Sequence, residues 1–289
     1  MTQPTPQNKS TFDLPLSSGR IRARRVGPAN APLVLLIHGL SAHMHSFDFI
    51  IDQLAEPDRQ FVAVDLRGRG QSDITPEGTY GLHAHCRDVL EIATLLGADQ
   101  FDLIGWSMGA LIGIGLGHSA PQRLRRLILI DHAGKMDPGP IEKINKGLDR
   151  LDIVVDKPST YIDAIRLGGS ISPWTDFWEH YYTYELGPCQ GGYRATTSKS
   201  ACLEDLRSLR SEDFESMWAS ITMPAMLVRC QLPVGGGFIV PEAELTKIRL
   251  AVPHMQMVRA DRDHYTVMVD PDAATAMKAF LATNLPRAE

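Results

Sequence analysis

The chain has 289 residues, a formal net charge of -5 and a hydrophobic fraction of 44%, enough for one large domain with an insertion and a substantial core. Its lysines and arginines are scattered, which argues against a nucleic-acid partner, and no run of about 18 apolar residues offers a membrane span. Met1–Ser10 is polar and lacks the apolar stretch of a secretory leader, while Cys86, Cys189, Cys202 and Cys230 form no C-x-x-C pair, so reduced thiols and a cytoplasmic location are expected.

Short apolar runs bounded by turn residues read as buried strands. In chain order they are Pro32–Ile37, ending at His38-Gly39; Phe61–Val64, ending at Asp65; Phe101–Ile104, ending at Gly105; Leu127–Ile130, ending at Asp131; Ala225–Val228; and Met255–Val258. Helix-like stretches lie between them at Tyr80–Leu96, Ala110–His118 and Pro241–Leu250, with a last helix starting near Pro271. Alternating strands and helices predict an α/β fold, a mostly parallel central sheet flanked by helices. In such sheets function collects at the carboxyl ends of the strands. The rhythm stops over residues 135–220, where no strand run occurs and Trp174, Phe177, Trp178, Tyr181, Tyr182 and Tyr184 cluster. A structureless loop of that length is improbable, so a helical cap insertion is expected there, dividing an α/β core of residues 1–134 and 221–289.

Gly105-Trp-Ser107-Met-Gly109 is a G-x-S-x-G pentapeptide set directly between a strand and a helix. Glycines at both flanks permit a turn tight enough to project the Ser107 hydroxyl, and the setting makes Ser107 a nucleophile candidate where the pentapeptide alone would be weak. A serine needs a base, and on such an elbow the chain order is Ser, acid, His. His264, in Asp261-Arg-Asp-His-Tyr265 between the last strand and the last helix, occupies the place a base needs; His254 precedes its strand and reads as a surface residue. The acid is less plain. The loop after Ala225–Val228 carries no carboxylate before Pro241, which leaves Asp131, ending the strand next to the elbow, or else Glu242 or no acid at all. Asp131 is favoured, because a residue there can hold the same imidazole nitrogen. The loop after the first run, His38-Gly39-Leu40, places the Leu40 backbone N–H beside that of Met108 as an oxyanion pair.

Other features are read as supporting. Asp65 and Arg67 brace loops behind the site. His43 and His45, and His83 and His85, stand two apart with no carboxylate cluster beside them, so no metal is expected and no cofactor is called for. His43, Trp106, Trp174 and Trp178 are candidates for contact with a small-molecule substrate. A homodimer is compatible with this composition.

On His38–Ser41, Asp65–Ser72, Gly105–Gly109, Leu129–Asp131, Pro224–Arg229 and Asp263–Tyr265, the chain resembles the α/β-hydrolase superfamily over nearly its whole length. Within it the likeness is to hydrolases of the N-formylmaleamate deformylase and 2-(acetamidomethylene)succinate hydrolase type. That resemblance implies amide cleavage during breakdown of N-heterocyclic compounds, dicarboxylate substrates held by cap arginines, for which Arg150, Arg166 and Arg194 are the candidates, and a triad acid after the strand that follows the elbow helix, which is Asp131 here. The aromatic cap and Gly235-Gly-Gly237 depart from this and suggest a bulkier or less charged substrate. The expected activity is cleavage of an amide or ester through a serine acyl-enzyme. Two rivals share the fold: a cofactor-free dioxygenase of the 3-hydroxy-4-oxoquinoline type, in which the serine is not acylated, and a non-catalytic small-ligand receptor.

Overall fold

The computed structural model describes residues 9–283, so the reading of the amino-terminal stretch lies outside the described residues for positions 1–8. The chain opens with β1 (Lys9–Leu16), β2 (Gly19–Val26) and β3 (Leu33–Ile37), then α1 (Asp48–Leu54), β4 (Gln60–Val64) and α2 (Leu82–Leu95). β5 (Phe101–Trp106), α3 (Met108–Ser119) and β6 (Leu124–Ile130) follow. Next come α4 (Pro138–Gly147), α5 (Pro158–Leu167), α6 (Asp176–Glu185), β7 (Leu186–Cys189), β8 (Gly192–Ala195), α7 (Lys199–Ser211) and the short α8 (Phe214–Met217). β9 (Ala225–Cys230), α9 (Glu242–Ala251), β10 (Gln256–Ala260) and α10 (Pro271–Ala282) complete it.

Eight strands make one sheet in the order β1-β2-β4-β3-β5-β6-β9-β10, parallel throughout except where β2 meets β1 and β4. The expected α/β architecture with a mostly parallel sheet is what the structure has. Period-two alternation sorts each buried strand onto two cores. Leu33, Leu35 and Ile37 of β3 face α2 and α3, and Val34 and Leu36 face α1 and α10. Each of the six strands read from the sequence is present, with ends shifted by up to three residues.

The β1–β2 hairpin was not anticipated. β2 reads Gly-Arg-Ile-Arg-Ala-Arg-Arg-Val, and its arginines hide the alternation of the buried Ile21 and Ala23. The structure partners them: Arg20 and Arg22 bond Asp13, Arg24 pairs with Asp48, and Arg25 lies over the Phe12 ring at 4.6 Å. A second departure falls between β6 and β9. That stretch is mainly helical, yet it contains the antiparallel ribbon β7–β8, which Gly191 (φ +90°) turns and which the bridge from Tyr193 to Val155 ties to the preceding loop. Pro188 and three glycines leave that ribbon without a strand signature. Among the described residues no helix is long and apolar enough to cross a membrane.

The winding reverses between β3 and β5: from β3 the chain steps to β4 on one side, then returns to lay β5 on the other. A crevice opens at such a reversal, outside the carboxyl ends of the strands. The residues after β3, β5, β6 and β10 converge there.

Candidate active site

Ser107 sits between β5 and α3 with φ +56° and ψ -118°, in the left-handed half of backbone space that a side chain enters only when its surroundings hold it there. The flanking glycines have a direct steric cause. A Cβ on Gly105 would lie 2.2 Å from the Gly109 carbonyl oxygen, and one on Gly109 would lie 1.9 Å from the Ile37 oxygen. The elbow is therefore wedged against the end of β3. Gly39 is close as well, though less tightly, since its Cβ would meet Ser107 Cβ at 3.1 Å. Neither the Leu40 nor the Met108 N–H donates within the described residues, so both donors beside Ser107 remain free for a ligand.

His264 follows β10 in a loop fixed at several points. Asp263 Oδ1 accepts the Tyr265 and Thr266 amides at 2.8 and 2.9 Å, and the Trp106 indole N–H donates to the His264 carbonyl at 3.0 Å. The ring then bridges two side chains. Nδ1–H donates to Asp131 Oδ2 at 2.9 Å, and Nε2 faces Ser107 Oγ at 3.0 Å. The carboxylate partner fixes the tautomer, leaving Nε2 as the acceptor toward the hydroxyl. Asp131 also holds a left-handed φ of +48°, and its Oδ1 accepts the Cys230 N–H at 2.9 Å. Burial works to raise the Asp131 carboxyl, but the bonds from His264 and Cys230 outweigh it and hold the group below the usual carboxylate range. The rival acid Glu242 is 64% exposed on its side chain and pairs with Arg229 at 3.1 Å, away from the imidazole.

A cavity of about 660 Å³ opens over Ser107 and His264. Trp106, Trp178, Tyr181 and Tyr182 line it, as do Lys143, Lys146 and Arg150 from α4 and the turn after it. Of the substrate candidates, Trp106 and Trp178 face this cavity and three do not. His43 is fully buried behind it, stacked on Tyr181 at 4.1 Å and donating to the Tyr181 carbonyl. Arg166 bonds Glu179, with its guanidinium 5.1 Å from the Trp174 ring centre. Trp174 itself stacks on the outer side of Tyr182 and donates to Glu179 at 3.2 Å. His45 is held by Asp48, and Arg194 is exposed on the ribbon. Arg150 does reach the cavity, but its charge is matched by the buried Glu185 at 2.5 Å, which also accepts from Tyr161. Sequence reasoning named Tyr181 and Tyr182 only within the aromatic cluster of the cap and passed over Lys143 and Lys146; the helical spacing of the two lysines before Arg150 was the signal available. Of the glycines at 235–237, Gly235 lines the cavity and also packs closely on α4, where a Cβ on it would lie 2.6 Å from the Gly139 oxygen.

The bracing expected of Asp65 and Arg67 is visible in their bonds. Asp65 accepts the Met44 and Gln71 amides at 2.8 Å, and Arg67 pairs with Asp88 in the core. Arg69, fully buried, donates to the Leu40 carbonyl at 2.9 Å and pairs with Asp205 of α7 at 2.5 Å, so the loop after β3 is tied to the inserted segment.

Comparison with known proteins agrees with this architecture. A sequence profile described as the alpha/beta hydrolase fold matches residues 32–157. A 2-(acetamidomethylene)succinate hydrolase of Mesorhizobium japonicum is 25% identical over 88% of this chain and 89% of its own. An N-formylmaleamate deformylase of Pseudomonas putida is 23% identical over 82% of this chain and 83% of its own. The crystal structure of an E-2-(acetamidomethylene)succinate hydrolase superposes with a TM-score of 0.84 at 22% identity, covering 96% of this chain and all of that one.

Proposed function

For this chain, a hydrolase of the α/β-hydrolase fold, we propose that Ser107 is the nucleophile of an acyl transfer to water that cleaves an amide or ester bond of a small organic molecule. The observation that carries the reading is the unbroken line Asp131–His264–Ser107 at the reversal of the sheet. In the first half-reaction Ser107 Oγ bonds to the substrate carbonyl carbon while its proton passes to His264 Nε2. The carbonyl electron pair moves onto oxygen, where the Leu40 and Met108 amides receive it. Collapse breaks the C–N or C–O bond, and His264 returns the proton to the departing amine or alcohol. Water then repeats the sequence on the acyl-enzyme and frees the acid and Ser107. Asp131 holds the Nδ1–H tautomer and faces the imidazolium when it forms.

The segment between β6 and β9 acts as the cap, with Trp178, Tyr181 and Tyr182 roofing the acyl group. Likeness to relatives named for 2-(acetamidomethylene)succinate and N-formylmaleamate supports an amide substrate and a place in breakdown of aromatic or N-heterocyclic compounds. The test is turnover of amide, ester and lactone panels by wild type and by Ser107→Ala, with product analysis and an oxygen electrode in the same vessel. The expected result is release of acid plus amine or alcohol without oxygen uptake, falling by several orders of magnitude in the variant. Turnover that consumes oxygen and survives Ser107→Ala would replace this reading with cofactor-free oxygenation.

A further inference from the structure

A second cavity, of about 240 Å³, lies across α4 from the first. Gly139, Lys143 and Gly147 line the cavity over Ser107, Ile141 lines the second, and Ile144 lines both, so one helix is the wall between them. The remaining apolar walls are Met136, Leu111 of α3, Leu206 and Leu209 of α7, and Phe214 of α8. Two buried polar side chains are set into this lining. Glu244, 5% exposed, accepts the Lys135 backbone N–H at 2.8 Å on Oε1; among the described residues it has no cationic partner. His132, 5% exposed, donates through Nε2 to the Gly134 carbonyl and keeps an Nδ1 with no hydrogen-bond partner.

A carboxylate withdrawn from water is ordinarily matched by a positive charge. The surroundings of this one are negative as well. Glu212, Asp213 and Glu215 border the cavity against Lys135 and Arg210. Arg210 is turned to Asn145, Glu215 pairs with Lys247 at 2.8 Å, and Glu212 has only the exposed His83 at 3.9 Å among the described residues. An apolar chamber with an unmatched carboxylate and an unfilled nitrogen acceptor asks for a ligand with an apolar body and a head rich in N–H donors. Size narrows it further, because an apolar cavity of about 150 Å³ already accepts a benzene ring.

We propose that this cavity is a binding site for a small organic cation, an ammonium carried on a single ring, with the head on Glu244 and His132 and the ring between α4, α7 and α8. The site opens across α4 from the Ser107 hydroxyl, although His132 stands beside Asp131 and the Ser107 carbonyl, and the proposal does not depend on what that serine cleaves. Isothermal titration of the full chain with benzylammonium chloride tests it. Saturable binding at a single site is expected, with benzyl alcohol and phenylacetate binding at least tenfold more weakly. Glu244→Gln should weaken benzylammonium by at least tenfold, whereas Glu142→Gln, which removes a carboxylate from the other cavity, should leave it unchanged. Leu209→Trp, at a half-exposed position, fills the chamber and should abolish binding with the carboxylate intact; thermal unfolding without ligand shows that each variant is folded. Absence of saturation in the millimolar range, equal affinity for benzyl alcohol, or an unaltered affinity in both folded variants would overturn the proposal.

Discussion

Asp131 concentrates the account at the scale of single residues. It ends β6 in a left-handed conformation that costs a non-glycine residue about 1–2 kcal/mol, and that turn is what brings one carboxylate oxygen to His264 and the other to the Cys230 amide. Asn tolerates the same backbone, so Asp131→Asn is expected to fold with an unchanged melting temperature. Its amide favours the wrong imidazole tautomer, and kcat should fall by about four decades. Glu242→Gln removes an exposed partner of Arg229 and should leave kcat unaltered. Steady-state kinetics of the two variants side by side decides between the placements. Much of this was legible beforehand, because Ser107, Leu40 and Asp131 each follow the end of an apolar run and His264 lies in the loop between the last strand and the last helix. The positive φ of Asp131 was not, since nothing in Leu-Ile-Asp-His announces it.

The elements of the inserted segment show where such reading stops. α6 carries Phe177, Trp178, Tyr181 and Tyr182 on one broad face, so helical spacing groups them together and could not say which of these aromatics meet the cavity. Tertiary contacts divide them: Trp178, Tyr181 and Tyr182 line it, while Trp174, before the helix, packs outside against Tyr182 and Arg166. Trp178→Ala is expected to change KM and substrate ranking while lowering stability by about 3–5 kcal/mol, the range for deleting a buried aromatic. Trp174→Ala should leave KM unaltered; a changed KM there would move the substrate to the outer side of α6. The elbow is less forgiving than either. Gly109→Ala drives a methyl into the Ile37 carbonyl, so loss of soluble protein or of Ser107 reactivity is expected, read by expression yield and fluorophosphonate labelling.

Across the whole molecule, acid should be felt first through buried histidines. Burial is the main cause that pulls His38 down to about 3 and His132 down to about 4, so both stay neutral in the fold while the unfolded chain protonates them near 6.5. A depressed folded value means that their contribution is complete above pH 6.5 and is lost as the pH falls toward 4 and 3. At pH 5 each withdraws about 2 kcal/mol, and Asp131, also depressed, adds to the loss at lower pH still. Melting temperature measured from pH 8 to 4.5 should therefore be flat and then fall by several degrees; a flat profile to pH 4.5 would contradict the burial of these histidines. The overall architecture was readable because parallel strands are continuous apolar runs, and the edge hairpin was not, because arginines on both faces of β2 interrupt its apolar alternation. All of these scales meet at one atom, Ser107 Oγ. Rapid quenching of wild-type enzyme with an activated ester, followed by intact-mass and peptide mass spectrometry, should show one acyl group on Ser107 that disappears with further incubation. Turnover with no acyl adduct on Ser107, and adducts absent even in Asp131→Asn, would contradict the covalent route through this serine.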